Sequence, residues 1–169
     1  MNATLDTWNA ANAEDAIETM IACCGSRRWA EAMVARRPLP NVKALVAAAD
    51  SIWSTMEEAD WMEAFACHPR IGERKSAHAS VQSADWSQQE QCTVAVAPGS
   101  TLAALARGNG LYEERFGFTY IVCATGKSAD ELLDLLHRRL ARERSTELLE
   151  AAEQQRQITQ IRLRKWLAV

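Results

Sequence analysis

The chain has 169 residues, 48% hydrophobic and 24% charged, with a formal net charge of −3. This is enough for one domain with a real core. It offers no positive excess to gather nucleic-acid phosphates, and no apolar run reaches the length of a membrane span.

Alanine, leucine, glutamate and arginine dominate, all good helix formers. Helices are expected over Thr4–Ala10 and Asn12–Cys24, the second capped by Asn12 and ended by Gly25. Ser26 caps Arg27–Arg37, which stops before Pro38. Asn41 caps Val42 to about Met56, with Leu45, Ala48, Ala49, Ile52 and Trp53 as its apolar stripe. Glu57–Ala66 then runs to His68. From Gly72 to Ser83 the chain is polar and reads as an ordered loop or a single turn. Ser83 or Asp85 can cap Trp86 to about Ala97, and Pro98-Gly99 breaks it. Ser100 caps Thr101 to about Arg115, with Gly108 and Gly110 marking a possible kink. Phe116 to Ala124 is the one β-like run. With no second strand to pair with, it reads as an extended buried segment. Ser128 and Glu131 form a capping box that opens a helix to about Arg142. Ser145 or Thr146 caps a last helix to about Leu167, with Leu148, Leu149, Ala152, Ile158, Ile161 and Leu163 at buried positions. There is no internal repeat or linker. The expectation is an all-α fold, a single compact domain of about eight helices over residues 1–169, with no sheet.

The five cysteines include no Cys-x-x-Cys pair, and the N-terminus lacks a basic region leading into an apolar core. The C-terminal Leu167-Ala168-Val169 is not a peroxisomal address. Reduced, mostly buried thiols in a cytoplasmic protein are expected.

Three stretches carry chemistry. In Cys67-His68-Pro69-Arg70-Ile71-Gly72-Glu73, proline has no N–H and pushes the preceding residue out of the helical region. His68 therefore sits at a helix end or just beyond it. A titratable ring on a fixed turn suits proton transfer; a plain helix terminus is the other reading of these residues. Ser87, Glu90 and Gln91 lie at helical spacing and share one face, placing a hydroxyl, a carboxylate and a carboxamide in a row. A solvated surface face is the alternative, which flanking Trp86 and Cys92 argue against. Arg162 falls among core-facing positions, where an arginine would meet a carboxylate or an anion; a place outside beside Arg164 and Lys165 is the alternative. His68, Glu73 and His78 lack the spacing of a zinc helix, and no loop or motif suggests a nucleotide, flavin or pyridoxal cofactor.

Together, His68–Glu73, Trp86–Gln91, Asn109–Phe118 and Ile158–Leu163 resemble, in order, the motifs of the OHCU decarboxylases. These are the 2-oxo-4-hydroxy-4-carboxy-5-ureidoimidazoline decarboxylases of urate breakdown, and the His-Pro-Arg-Ile-Gly form is similar to their bacterial branch. The resemblance implies a cofactor-free, all-helical homodimer acting on a small molecule. It implies His68 as the catalytic histidine and Glu90 as its acidic partner. Pro69, Ser87, Gln91 and Arg162 would contact substrate, and the backbone of Tyr120–Val122 would meet its amide groups, Tyr120 and Val122 included. No metal is implied. Arg70 differs among relatives of this pattern and receives no catalytic role. Two other readings stand beside it: a helical interaction module without catalysis, and a metal-assisted hydrolase using His68 and His78.

Overall fold

The computed structural model describes residues 2–73 and 78–168. Among them are nine α-helices, one short 3-10 turn and no strand. The expected all-α class and the absence of a sheet are therefore observed. The chain groups into two compact units, one of Met1–Ala64 with Arg156–Val169 and one of Phe65–Gln155.

The first unit holds α1 (Ala3–Ala10), α2 (Ala13–Cys24), α3 (Arg27–Val34), α4 (Val42–Trp53), most of α5 (Glu58–Ala66) and the end of α9 (Arg144–Leu167). Its helices start where short polar side chains accept from the first-turn amides. Asn2, Asn12, Ser26 and Asn41 cap α1 to α4, each satisfying a donor that the helix leaves unpaired. Gly25 closes α2 with φ +91°, the left-handed geometry that glycine adopts without strain. Trp29 anchors the interior, fully buried, with its indole N–H on the Ala49 carbonyl at 3.1 Å. Truncating it to alanine should cost about 3–5 kcal/mol. Arg37 donates to the carbonyls of Trp8 and Ala11 at 2.7 and 2.9 Å, tying down the end of α1.

The second unit holds the end of α5, α6 (Val81–Glu90), the 3-10 turn Val94–Val96, α7 (Gly99–Phe116), α8 (Ala129–Leu140) and the first half of α9. The capping box at Ser128 and Glu131 is formed as expected. A Cβ on Gly108 would lie 2.5 Å from Leu136 Cδ2, so this glycine permits the close approach of α7 and α8. Gly108 and Gly110 do not break α7, which is one helix of 18 residues. Phe65, Tyr112, Phe116, Phe118 and Tyr120 form a chain of ring contacts, with centroids 4.7–6.2 Å apart.

Several boundaries differ from expectation. The α3 helix stops at Val34 rather than Arg37. The α6 helix begins at Val81, capped by Ser80 rather than by Ser83 or Asp85, and ends at Glu90 rather than near Ala97. Ser80 has the same capping chemistry as the two expected residues; the earlier start goes with the burial of Ser83, Trp86 and Ser87. Ser100 lies inside α7, whose N-cap is Pro98. The last helix starts at Arg144, one residue before Ser145, and Leu149 points outward at 62% exposure. Of the loop expected over Gly72–Ser83, residues 74–77 lie outside the described residues, and Val81–Ser83 are helical.

Candidate functional site

The α5 helix ends at Ala66, and the His68 amide closes the last turn on the Phe65 carbonyl at 3.1 Å. Pro69 follows and is buried. His68 thus sits one step past a helix terminus, as its sequence position dictates. The ring is half-buried, and its Nε2 lies 2.7 Å from Oε1 of Gln155, a fully buried residue of α9.

Arg70, Ile71 and Gly72 are then fastened one by one. The Arg70 guanidinium forms a fork on Glu113, Nε to Oε1 at 2.9 Å and Nη2 to Oε2 at 2.6 Å. That carboxylate raises the pKa of Arg70 and keeps its charge fixed. Asn109 Nδ2 donates to the Ile71 carbonyl at 2.9 Å. The Gly72 amide donates to Gln91 Oε1 at 2.9 Å. Gly72 has φ +94°, a conformation an L side chain rarely adopts. The Asn109–Phe118 stretch therefore supplies, through Asn109 and Glu113, the fastening of the turn that carries His68. Arg70, given no catalytic role by the resemblance, has a defined structural job.

On α6, Trp86 and Ser87 are buried and Glu90 is half-buried. Gln91 is the residue just past the helix end, so only Ser87 and Glu90 of the expected row are helical. Cys92 is exposed and does not flank a buried face. A groove of about 510 Å³ includes Gly72, Glu73, Gln91 and Cys92 in its lining. Its lining does not include His68, Ser87 or Glu90.

From Thr119 to Ala124 the chain has no regular secondary structure, and Tyr120 to Ala124 are all buried. One edge of this segment is tied to helices by side chains. Arg139 Nη1 donates to the Ile121 carbonyl at 2.7 Å, and the Cys123 amide donates to Gln154 Oε1 at 2.9 Å. Arg139 is itself buried, paired with fully buried Glu147 at 2.6 Å and stacked over the Tyr120 ring at 4.9 Å. Tyr112 donates to the same Glu147 oxygen. Burial pushes the Tyr112 phenol well up; the Arg139 charge opposes that and Glu147 adds to it. Burial likewise lifts Tyr120 to about 12.

Arg162 belongs to the first unit and is 1% exposed, so it faces inward rather than lying outside beside exposed Arg164. It acts on Cys23, whose thiol burial pushes up to about 12 while the Arg162 charge pulls the other way. His78 and His137 are exposed. Among the described residues, no group of three or more His, Cys, Asp or Glu is arranged to hold a metal ion. Also among them, no helix is long and apolar enough to cross a membrane.

Sequence reasoning missed Gln155, Arg139 and Glu147. Each left a trace. Gln155 falls on the stripe Ala151, Gln155, Ile158, Arg162, which is buried in helical register. Arg139 follows Leu132 and Leu136 at seven and three residues, again on a buried stripe. A polar residue at a core register position signals a specific partner.

Residues 9–164 match the family model described as OHCU decarboxylase. The uric acid degradation bifunctional protein TTL of Arabidopsis thaliana is 38% identical over 144 residues, covering 85% of this chain and 44% of that protein. The chain thus spans less than half the length of that relative. An Amia calva protein, 2-oxo-4-hydroxy-4-carboxy-5-ureidoimidazoline decarboxylase, is 28% identical over 134 residues, covering 79% of this chain and 77% of its own. The crystal structure of an OHCU decarboxylase in the presence of (S)-allantoin superposes with a TM-score of 0.77 at 34% identity, covering 88% of this chain and 96% of that one. An (S)-allantoin synthase structure superposes with a TM-score of 0.71 at 17% identity, over 96% of this chain and 53% of that one, a likeness of fold alone.

Proposed function

We propose that the chain, which belongs to the OHCU decarboxylase family, removes the carboxylate of 2-oxo-4-hydroxy-4-carboxy-5-ureidoimidazoline and releases (S)-allantoin in urate breakdown. One observation carries the reading furthest. A histidine on a turn fastened by Arg70–Glu113, Asn109–Ile71 and Gln91–Gly72 lies in a chain that matches the family from residue 9 to 164. That match takes in both compact units, and we take residues 1–169 to work as one decarboxylase domain.

The substrate supplies its own electron sink. The bond between the ring carbon and its carboxylate breaks, CO2 leaves, the electron pair forms a C=C bond to the neighbouring ring carbon, and the nitrogen of the former ring C=N takes a proton from solvent. The hydroxyl-bearing carbon becomes an enol; it loses its O–H proton and the neighbouring carbon gains one, giving the ring carbonyl of allantoin. The protein must hold the carboxylate, stabilise the developing charge and deliver the proton to one face. No organic cofactor is required by this chemistry.

In this reading His68 and Glu90 handle the proton. Arg162, whose planar fork matches a carboxylate, and Gln91 hold substrate oxygens or ring groups. The Gln91 amide nitrogen is the part turned to substrate, since its oxygen accepts from Gly72. Ser87 and Pro69 line the pocket. Tyr120 and Val122 present backbone groups on the edge opposite the one held by Arg139 and Gln154, because neighbouring residues of drawn-out chain alternate their N–H and C=O directions. The enzyme works in the cytoplasm as a homodimer.

The test generates the unstable substrate from urate in the assay and follows allantoin optical activity. With the protein, a fast dichroic signal of (S)-allantoin is expected; slow racemic product, as without protein, would overturn the assignment. Arg162→Lys should lower kcat/KM by at least tenfold, since an ammonium cannot form the bidentate contact. Unchanged kcat and KM would remove Arg162 from the site. Size-exclusion chromatography with light scattering decides the dimer.

A further inference from the structure

The His68 ring has a neutral partner on α9. Gln155 Oε1 lies 2.7 Å from His68 Nε2, and Gln155 is fully buried while the ring is half-buried. A carboxamide oxygen can only accept a hydrogen bond, so the imidazole nitrogen facing it carries the hydrogen. In a neutral imidazole the other nitrogen then holds the lone pair.

We propose that Gln155 is a positioning residue for the reaction: it fixes His68 in the Nε2–H tautomer and makes Nδ1 the nitrogen that exchanges the proton with substrate. This rests on the reading of His68 as the proton-handling residue. Gln155 does this from a rigid place. It lies mid-way along α9, a helix of 24 residues, on a buried stripe with Ala151 and Ile158. The neighbouring Gln154 is engaged elsewhere, with its oxygen on the Cys123 amide at 2.9 Å and its nitrogen on Glu150 at 2.9 Å. Two adjacent glutamines therefore brace two functional stretches, one the histidine and the other the drawn-out segment. The imidazole has its orientation set by an amide, which contributes direction without a charge of its own. The proton balance is unaffected: Nδ1 takes a proton and returns it, while the Nε2 hydrogen stays on the ring throughout the cycle.

The experiment uses full-length protein with its histidines labelled with nitrogen-15. There are three histidines, and the signal lost in His68→Gln assigns His68. In the neutral range, His68 Nε2 is expected to resonate as a protonated, pyrrole-type nitrogen and Nδ1 as a pyridine-type nitrogen. Gln155→Leu should abolish this single-tautomer pattern and lower kcat on the order of tenfold, with KM changed less than kcat. Gln155→Glu, close in shape and still an acceptor, should retain the Nε2–H signal and keep more activity than the leucine variant. A wild-type spectrum with hydrogen on Nδ1 overturns the assignment, and this needs no variant to fold. So does a folded Gln155→Leu protein with unchanged spectrum and kcat. If folded His68→Gln retains full activity, the proton role of His68 falls and the catalytic part of the proposal falls with it. If His68 is essential but its tautomer is the other one, only the role of Gln155 falls.

Discussion

Two non-helical stretches of the second unit meet the same problem with different means. The turn His68–Glu73 and the drawn-out segment Thr119–Ala124 both carry backbone groups that no helix satisfies. In the turn, the partners are Glu113, Asn109 and Gln91, on helices or helix ends, and the Arg70–Glu113 pair is only partly shielded, with side chains 42% and 27% exposed. In the segment, the partners are Gln154 and Arg139, the latter 3% exposed and paired with a fully buried Glu147. The first arrangement fastens a turn with several modest links. The second commits a buried ion pair, whose two members are costly to separate. In the function proposed above, the proton-handling side chain belongs to the modestly tied stretch, and backbone recognition to the one tied by the buried pair.

The comparison predicts unequal damage. Arg139→Leu leaves Glu147 buried without its strongest partner and should destabilise the fold by about 3–5 kcal/mol, read as the urea denaturation free energy. A loss under 1 kcal/mol would show that the pair is not what holds the segment. Gly108→Val drives a side chain into Leu136 where α7 and α8 meet, and overpacking of this kind costs about 1–3 kcal/mol. A neutral effect on the melting temperature would mean that Leu136 gives way freely. Smallest is Arg70–Glu113: a double-mutant cycle with alanine at both positions should return a coupling of about 0.2–1 kcal/mol, as for partly exposed pairs. A coupling near that of the Arg139 pair would erase the distinction.

Helix starts were legible where one residue could serve. Asn12, Asn41 and Ser128 each have the capping chemistry beside a break in pattern, and each caps its helix. The start of α6 was not, because Ser80, Ser83 and Asp85 compete with equal local chemistry and packing decides. Leu149 misleads in the same way: leucine suggests the interior, but the buried register runs through Leu148, Ala151, Ala152 and Gln155. Of the site, the placement of His68 just past α5 follows from the His-Pro pair, and the inward turn of Arg162 from its neighbours. The Gln155 contact could not be read, since it joins residues 87 apart in sequence and glutamine on a helix carries no fixed meaning. Nor could the roles of Asn109 and Glu113: their stretch carries a motif, but the motif does not say that they act on the Ile71 carbonyl and on Arg70.

In the proposed function, the fastened histidine turn is where the reaction's proton is handled. The most direct measurement compares wild-type protein with His68→Gln, matched for circular dichroism of the fold, on substrate generated from urate in the same cuvette. The rate of (S)-allantoin formation should fall by about 10²–10⁴-fold, and the product should drift toward the racemate. A folded variant that forms (S)-allantoin at the wild-type rate would contradict the proposed role of His68.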